Sequence, residues 1–542
     1  MTSEPTLVLT WLGAARDSLA AHRRALDTIN VFPVADSDTG TNMWLTVMEG
    51  LAFAAMAGPA ATEGEQARAF ERGAVLGARG NSGVILSQFL AGMLDSLAHE
   101  GGLSRADAPR MARALAAGSA AAFDAVGVPV DGTMVSVAAA AADAAALAAS
   151  NAPGGNAPGG NASGGNAPGS GNGGGGNGGA ADVVRAAVAR AREALATTRE
   201  VLPAAREAGV IDAGAWGLTL VLEALWEAYA GPQSLPPIQA RVPGGEDDAV
   251  GTGGDGDATP ANRGHGALPG GGVYEVMFVS GNTDPQGATP DDAPGAGWRE
   301  LSAQLASMGD SVAVSGIRGL VQAHVHTNIP DDVVELADTL GSSQILVRHI
   351  GAARQRDTRT GMVALTRAPG LAAPLANTGA VVLVIPAQAG LTDREFSRAV
   401  RDAGEREVVV AAADAELRQA ATLLAEGRTA PEVHVVSATH EAQVVAAATA
   451  FALLEPQQRA ATAIDGAVRG CHTLAVPEPG WVEEAVRAAT DADVLTVILP
   501  HGVDATAAHN AVRPHVSEDT DVQVYQGRHL AGGVLLGVER VP

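Results

Sequence analysis

Residues 30–43 read N-V-F-P-V-A-D-S-D-T-G-T-N-M. Asp36 and Asp38 stand two apart, so on an extended loop their side chains project to one side. At a separation of about 4 Å and an effective dielectric near 20, two carboxylates repel by roughly 4 kcal/mol. A cation between them turns that repulsion into a site, and hard oxygen ligands with room for water and phosphate suit Mg²⁺. The apolar run Trp44-Leu45-Thr46-Val47-Met48 reads as the start of a helix. Thr41 or Asn42 is the expected cap, which points the free N–H groups of the first turn back at the Asp pair. Metal ligands, hydroxyls and a helix N-terminus in one stretch are suited to holding a nucleotide polyphosphate. Asp-Ser-Asp-Thr-Gly is also ordinary turn chemistry, and this stretch alone leaves both readings open.

The rest of the composition narrows the choices. A chain of 542 residues, 46% apolar, has material for about two to four domains. Its formal charge of −25 argues against a nucleic-acid or anionic-membrane surface. The sequence contains no lysine, so all 35 basic residues are Arg. That removes the Walker A lysine, the protein-kinase strand lysine and any Schiff-base lysine together. Any bound ATP must then be held by metal, Arg and backbone N–H groups. Cys471 is the single cysteine, which excludes an internal disulfide and a Cys-based zinc cluster; a buried, inert thiol is its expected state. Residues 1–10 do not read as a signal peptide, and no segment reads as a membrane span, so the expected location is a reducing cytoplasm.

Outward from the Asp loop, residues 6–29 carry apolar residues at helical spacing, and a second helix is expected from about Asn42 to Met56. A helix over 63–73 leads to G-A-R-G-N-S-G at 77–83, which opens another apolar helix. Arg79, Asn81, Ser82 and Gly83 form a second phosphate-suited turn there, or a Gly-rich helix connection. Further helices are expected over 104–126 and 135–149. A five-residue unit, N-A-[PS]-G-[GS], then repeats from Asn151 and reads as a flexible insertion over 150–180. A third Gly-bearing turn at 209–217 opens a helix over 218–229. The three turns lie on both sides of the insertion and share one design, a polar turn before an apolar helix. That predicts a single up-and-down helical domain over 1–232, with the insertion in a surface connection.

After a Gly/Pro/Asp-rich linker at 233–271 the pattern changes. Strands at 273–279, 312–315 and 320–327 with helices at 298–308 and 330–340 predict a small α+β middle domain over 272–350. Strands at 380–385, 407–411, 432–436, 494–499 and 522–525 alternate with helices. They predict an α/β C-terminal domain over 370–542, expected to bind a partner.

Four segments together carry a resemblance: 30–43, G-A-R-G-N-S-G-V-I-L-S-Q at 77–88, P-V-D-G-T-M at 129–134 and G-V-I-D-A-G-A-W-G-L at 209–218. They resemble the DhaL (DAK2) kinase domain. Their order and spacing resemble the large ATP-binding subunit of bacterial fatty acid kinase. M-G-D-S-V-A-V-S-G at 308–316 and V-Q-A-H-V-H-T-N at 321–328 resemble that family's middle domain. The resemblance implies an antiparallel helical barrel with ATP and two Mg²⁺ ions at one end. Asp36 and Asp38 would be the metal ligands, with Asn30 in place of a third acid. Thr39, Gly40, Thr41, Asn42, Arg79, Asn81, Ser82 and Gly83 would contact the phosphates and nucleotide, and Thr133, Met134, Asp212 and Gly214 would complete the pocket. Ala35 and Ser37 depart from the usual Pro and Gly of that family, and Ser37 costs backbone freedom.

The function implied is ATP-dependent phosphorylation of a fatty acid carried by a separate DegV-like lipid-binding protein, with a homodimer also open. A glycerone-type kinase acting on a small hydroxyketone and a nucleotide-binding regulatory protein without turnover are the rivals. In the middle domain, His324 and His326 are i and i+2 on a strand and share a face. Glu275 falls where the related family often has a zinc-binding Cys, so Glu275, His324 and His326 form a candidate Zn²⁺ site; the alternative is a polar strand face.

Overall fold

The structure, a computed structural model, describes residues 5–98, 101–152, 177–233, 235–238, 271–281, 297–317, 319–354, 360–404, 406–428, 430–528 and 533–540. The repeat at 153–176 and most of the linker after 238 lie outside the described residues, and so does their expected flexibility. The chain divides into two compact units. The first comprises Met1–Gly270, Asn282–Ala306 and Ser311–His324; the second comprises Gly271–Gly281, Ser307–Asp310 and Val325–Pro542.

The first unit is built on helices α1 (Leu7–Thr28), α2 (Thr39–Met56), α3 (Glu63–Gly77), α4 (Gly80–Ala98), α5 (Ala108–Asp124), α6 (Met134–Ser150), α7 (Asn177–Val201), α8 (Pro203–Ala208) and α9 (Ala213–Ala230). Each long helix packs on the next, α7 packs on α9, and α9 returns to α1, so the ring of helices closes. The helical N-terminal region predicted from the sequence is therefore present. Its core mixes large side chains such as Trp11, Leu19, Phe70, Phe89 and Met111 with a run of alanines. α6 and α7 contribute Ala138, Ala141, Ala145, Ala187 and Ala191, whose small size lets the two helices lie close. Burial of a large apolar side chain contributes about 1.5–3 kcal/mol. Trp11 also satisfies its indole, donating from Nε1 to the Val221 carbonyl at 3.0 Å. Helix limits differ from the sequence reading chiefly at N-termini: α2 begins at Thr39 and α9 at Ala213, because periodicity marks the buried face and not the polar first turn.

An eight-stranded sheet contains β1 (Tyr274–Gly281), β2 (Gly309–Ile317), β3 (Leu320–Thr327), β4 (Ser343–His349), β5 (Thr360–Thr366), β6 (Val381–Val384), β7 (Glu407–Ala412) and β8 (Glu432–Val435). Its order is β2-β3-β1-β4-β6-β5-β7-β8. β1 and β4 pair antiparallel, as do β4 and β6, whereas β5 pairs parallel with β6 and β7, and β7 with β8. This corrects the boundary expected between a middle domain ending near 350 and a separate domain from 370. β4 joins β6 through Ile345↔Val384, Leu346↔Leu383 and Val347↔Val382, so strands from both segments share one sheet. Ile345, Leu346 and Val347 are buried, a short apolar run that the sequence reading passed over. A second sheet contains β9 (Cys471–Val476), β10 (Val494–Leu499), β11 (Asp521–Gln526) and β12 (Val534–Glu539), in the order β11-β10-β12-β9. Among the described residues no helix is long and apolar enough to cross a membrane.

At the carboxyl ends of β5 and β7, Glu441 opens the helix Glu441–Leu453 and is buried. It accepts from the Thr366 hydroxyl at 2.8 Å and the Arg367 backbone N–H at 2.8 Å. Burial raises its carboxyl from the ordinary 4.5 to about 7, against those hydrogen bonds. The folded state thus holds this proton more tightly than the unfolded chain, so stability falls as pH rises from about 4.5 to about 7. Glu441→Gln should flatten that decline and raise stability at pH 8 by roughly 2–3 kcal/mol, read by urea melts at pH 5 and 8. A parallel decline in wild type and variant would contradict the assignment.

Candidate functional site

Asp36 and Asp38 lie in the loop from α1 to α2, and Asp38 is the N-cap of α2. The expected cap at Thr41 or Asn42 is corrected: the helix starts at Thr39, and the Asn42 N–H donates to the Asp38 carbonyl at 2.8 Å. Asn30 is buried and its Nδ2 donates to Asp36 Oδ1 at 2.6 Å. It therefore orients the carboxylate that the sequence placed beside it. Ser37 between the two acids has φ 58, in the left-handed region. A side chain there costs energy that glycine avoids. Ser37→Gly should raise stability by about 1 kcal/mol in a denaturant titration; a loss of stability would show that the hydroxyl makes a compensating bond.

The sequence reading missed Asp27. This residue sits in the last turn of α1 and accepts from the Thr41 N–H at 3.0 Å and the Thr41 hydroxyl at 2.7 Å. Burial raises its carboxyl to about 6 and the charge of Asp38 adds to this, while the bonds from Thr41 and Gly40 oppose it. An acid in the last turn of a helix faces the negative end of the dipole, and that misplacement was the available signal. The partial positive charge at the start of α2 compensates for it.

Four helix N-termini converge here, and glycines allow it. A β-carbon on Gly40 would lie 2.7 Å from Leu26 Cβ, so Gly40 serves the approach of α2 to α1. One on Gly83 would lie 2.5 Å from Thr46 Oγ1, which brings α4 onto α2, and one on Gly217 would collide with Met43, which brings α9 onto α2. Gly214 lies against Met134, which brings α6 onto α9. Asp212 caps α9, accepting from the Ala215 N–H at 2.7 Å, and also accepts from the Met134 N–H. Burial raises its carboxyl to about 7 despite those bonds. Thr133 caps α6 through a box with Ser136. Asn81, Ser82 and Gly83 belong to the first turn of α4, which starts at Gly80, instead of preceding it. Arg79 is buried, donating from Nη1 to the Gly77 carbonyl at 2.8 Å, so it stiffens its own turn. Asn42 Nδ2 and Asn81 Oδ1 are buried and have no hydrogen-bond partner among the described residues. Two such atoms, one donor and one acceptor, on the first turns of neighbouring helices suit a polar ligand.

On the sheet, Glu275, His324 and His326 are buried on the neighbouring strands β1 and β3. Each offers a ligand atom, and these atoms lie within 4.8 Å of one another. Glu275 faces Arg348 directly across the β1–β4 ladder, and Arg348 pairs with its Oε2. Arg348 was not singled out from the sequence, because the pairing of β1 with β4 was not visible there. Cys471 is buried, and desolvation raises its thiol to about 12, which suits an inert side chain.

The comparisons with known proteins agree with this arrangement. Residues 33–156 and 173–227 match the DAK2 domain, and residues 274–349 match the FakA-like middle domain of fatty acid kinase. The chain thus carries a DAK2 domain followed by a FakA-like middle domain. Uncharacterized proteins of Staphylococcus aureus strains USA300 and MRSA252 are 26% identical to it over 324 residues, 60% of this chain and 51% of theirs. The chain spans about half the length of the curated relatives it matches. The crystal structure of the dihydroxyacetone kinase from C. freundii in complex with AMP-PNP and Mg²⁺ aligns with TM-score 0.29 and 17% identity, covering 42% of this chain and 35% of that one.

Proposed function

We propose that this chain is a cytoplasmic ATP-dependent kinase component that phosphorylates a fatty acid presented by a separate, DegV-like lipid-binding protein. The observation that carries the reading is the convergence of the first turns of α2, α4, α6 and α9 around Asp36 and Asp38. Helix N-termini attract anions, and paired carboxylates in the same place attract Mg²⁺. Asp36 and Asp38 hold the metal, with Asn30 keeping Asp36 oriented. Bound Mg²⁺ supplies charge neutralisation on the phosphates. Thr39, Asn42, Asn81 and Ser82 hold the phosphates; Asp27 keeps Thr41 and the first turn of α2 in place. Thr133, Met134, Asp212 and Gly214 close the other side. Phosphoryl transfer is mostly positioning and charge stabilisation, so this set is sufficient without a lysine. The buried Glu275, His324 and His326 fit Zn²⁺: two imidazoles and a carboxylate are a zinc set, and Arg348 orients the carboxylate. The zinc would have a structural or partner-orienting role.

The test is transfer from ATP to a fatty acid, with and without a DegV-like carrier, trapping the acyl phosphate with hydroxylamine. Acyl phosphate that forms only with the carrier supports the reading. Phosphorylation of dihydroxyacetone instead would assign a glycerone-type kinase, and ATP binding without turnover a regulatory protein.

A further inference from the structure

We propose that the strand pair β2–β3 is part of the nucleotide end, with Gln322 as the positioning residue for the turn that carries Arg79, Asn81 and Ser82. Gln322 is completely buried, and its Nε2 donates to the Ala78 carbonyl at 2.6 Å across 244 residues of sequence. Ala78 lies in the two-residue break between α3 and α4. Gly80 follows with φ 55, a conformation open to glycine at little cost. So short a connection has few hydrogen bonds of its own, and contacts from outside fix its position. Ala313 of β2 packs with Ala78 and Val84 in one apolar cluster.

The same strand pair reaches the approach to a second turn. Val314 N–H donates to the Ala125 carbonyl at 3.2 Å, Gly127 N–H donates to the Val312 carbonyl at 3.3 Å, and Val126 bridges to Ala313. Residues 125–127 lead into P-V-D-G-T-M, which ends on Thr133 and Met134. Residues 311–324 accordingly fall in one compact unit with the helices. Gln322 Oε1 and Ser315 Oγ are buried without partners among the described residues. The glutamine therefore makes one donor bond while leaving an acceptor unsatisfied, which ties its presence to that bond.

The role in catalysis rests on the kinase reading above, and the experiment separates the two. In the full chain, Gln322→Met keeps the side-chain shape and removes both the donor and the unsatisfied oxygen, so its melting temperature should stay near wild type. Its KM for ATP should rise roughly three- to tenfold, with kcat within about twofold. Hydrogen exchange should accelerate at the amides of 78–83 and stay unchanged at 39–42. Ser315→Ala, which removes a hydroxyl with no partner, should behave as wild type. Wild-type KM together with wild-type exchange at 78–83 in Gln322→Met would overturn the proposal. Should the unmodified chain not bind Mg·ATP, the kinase reading fails, and the exchange measurement still decides whether Gln322 positions the turn.

Discussion

Asp36→Ala is expected to lower phosphoryl transfer by at least about 10³-fold, the scale of losing a charge-stabilising group in this chemistry, while the helical fold stands. Asp36 and Asp38 are the acids at the start of α2, and with no lysine in the chain no side-chain ammonium can take over the metal's charge. Removing one carboxylate also removes like-charge repulsion, so the unliganded protein should melt no earlier than wild type by more than the lost Asn30–Asp36 bond allows, about 1 kcal/mol. Asp38→Ala should lose transfer to a similar extent. The informative pair of measurements is Mg-dependent ATP turnover and thermal melting on the same preparation. Wild-type turnover in Asp36→Ala would contradict the assignment of the site.

The second large effect concerns metal content. Protein purified without a His tag should carry about one zinc per chain, and His324→Ala/His326→Ala should carry none. The two imidazoles and Glu275 are already gathered in the folded protein. Arg348 on Glu275 Oε2 fixes that carboxylate and also adds a positive charge nearby, so the affinity should be lower than for a thiolate site. Gentle purification is therefore part of the design. Elemental analysis reads the stoichiometry directly, independent of enzymatic activity. Absence of zinc from the wild-type protein, or its retention by the double variant, would show that the three residues form only a polar strand face.

Much of the helical region was legible because its signals are local. Apolar residues at helical spacing mark α1, α2, α4 and α9, and the polar, Gly-bearing turns mark where they begin. The strand L-V-Q-A-H-V-H-T was read with its observed limits, Leu320–Thr327. Other features were hidden because they depend on residues far away in the chain. Asp27 reads as a plain surface acid until Thr41 is folded onto it. Gly40 reads as a phosphate contact, whereas the packed helices show that it lets α2 touch α1.

By itself the sequence determined the Asp36/Asp38 pair, the lack of lysine, the glycine-bearing turns before apolar helices and the two histidines on one strand face. These are matters of residue type and short spacing, which the backbone's own periodicity converts into geometry. Tertiary structure alone decided that the turns converge, that Asp212 joins α6 to α9, that β4 pairs with β6, and that Gln322 reaches Ala78. Each is a contact between segments whose separation carries no periodic signal. Such contacts are fixed by the burial of whole faces and by the need of buried polar groups for partners.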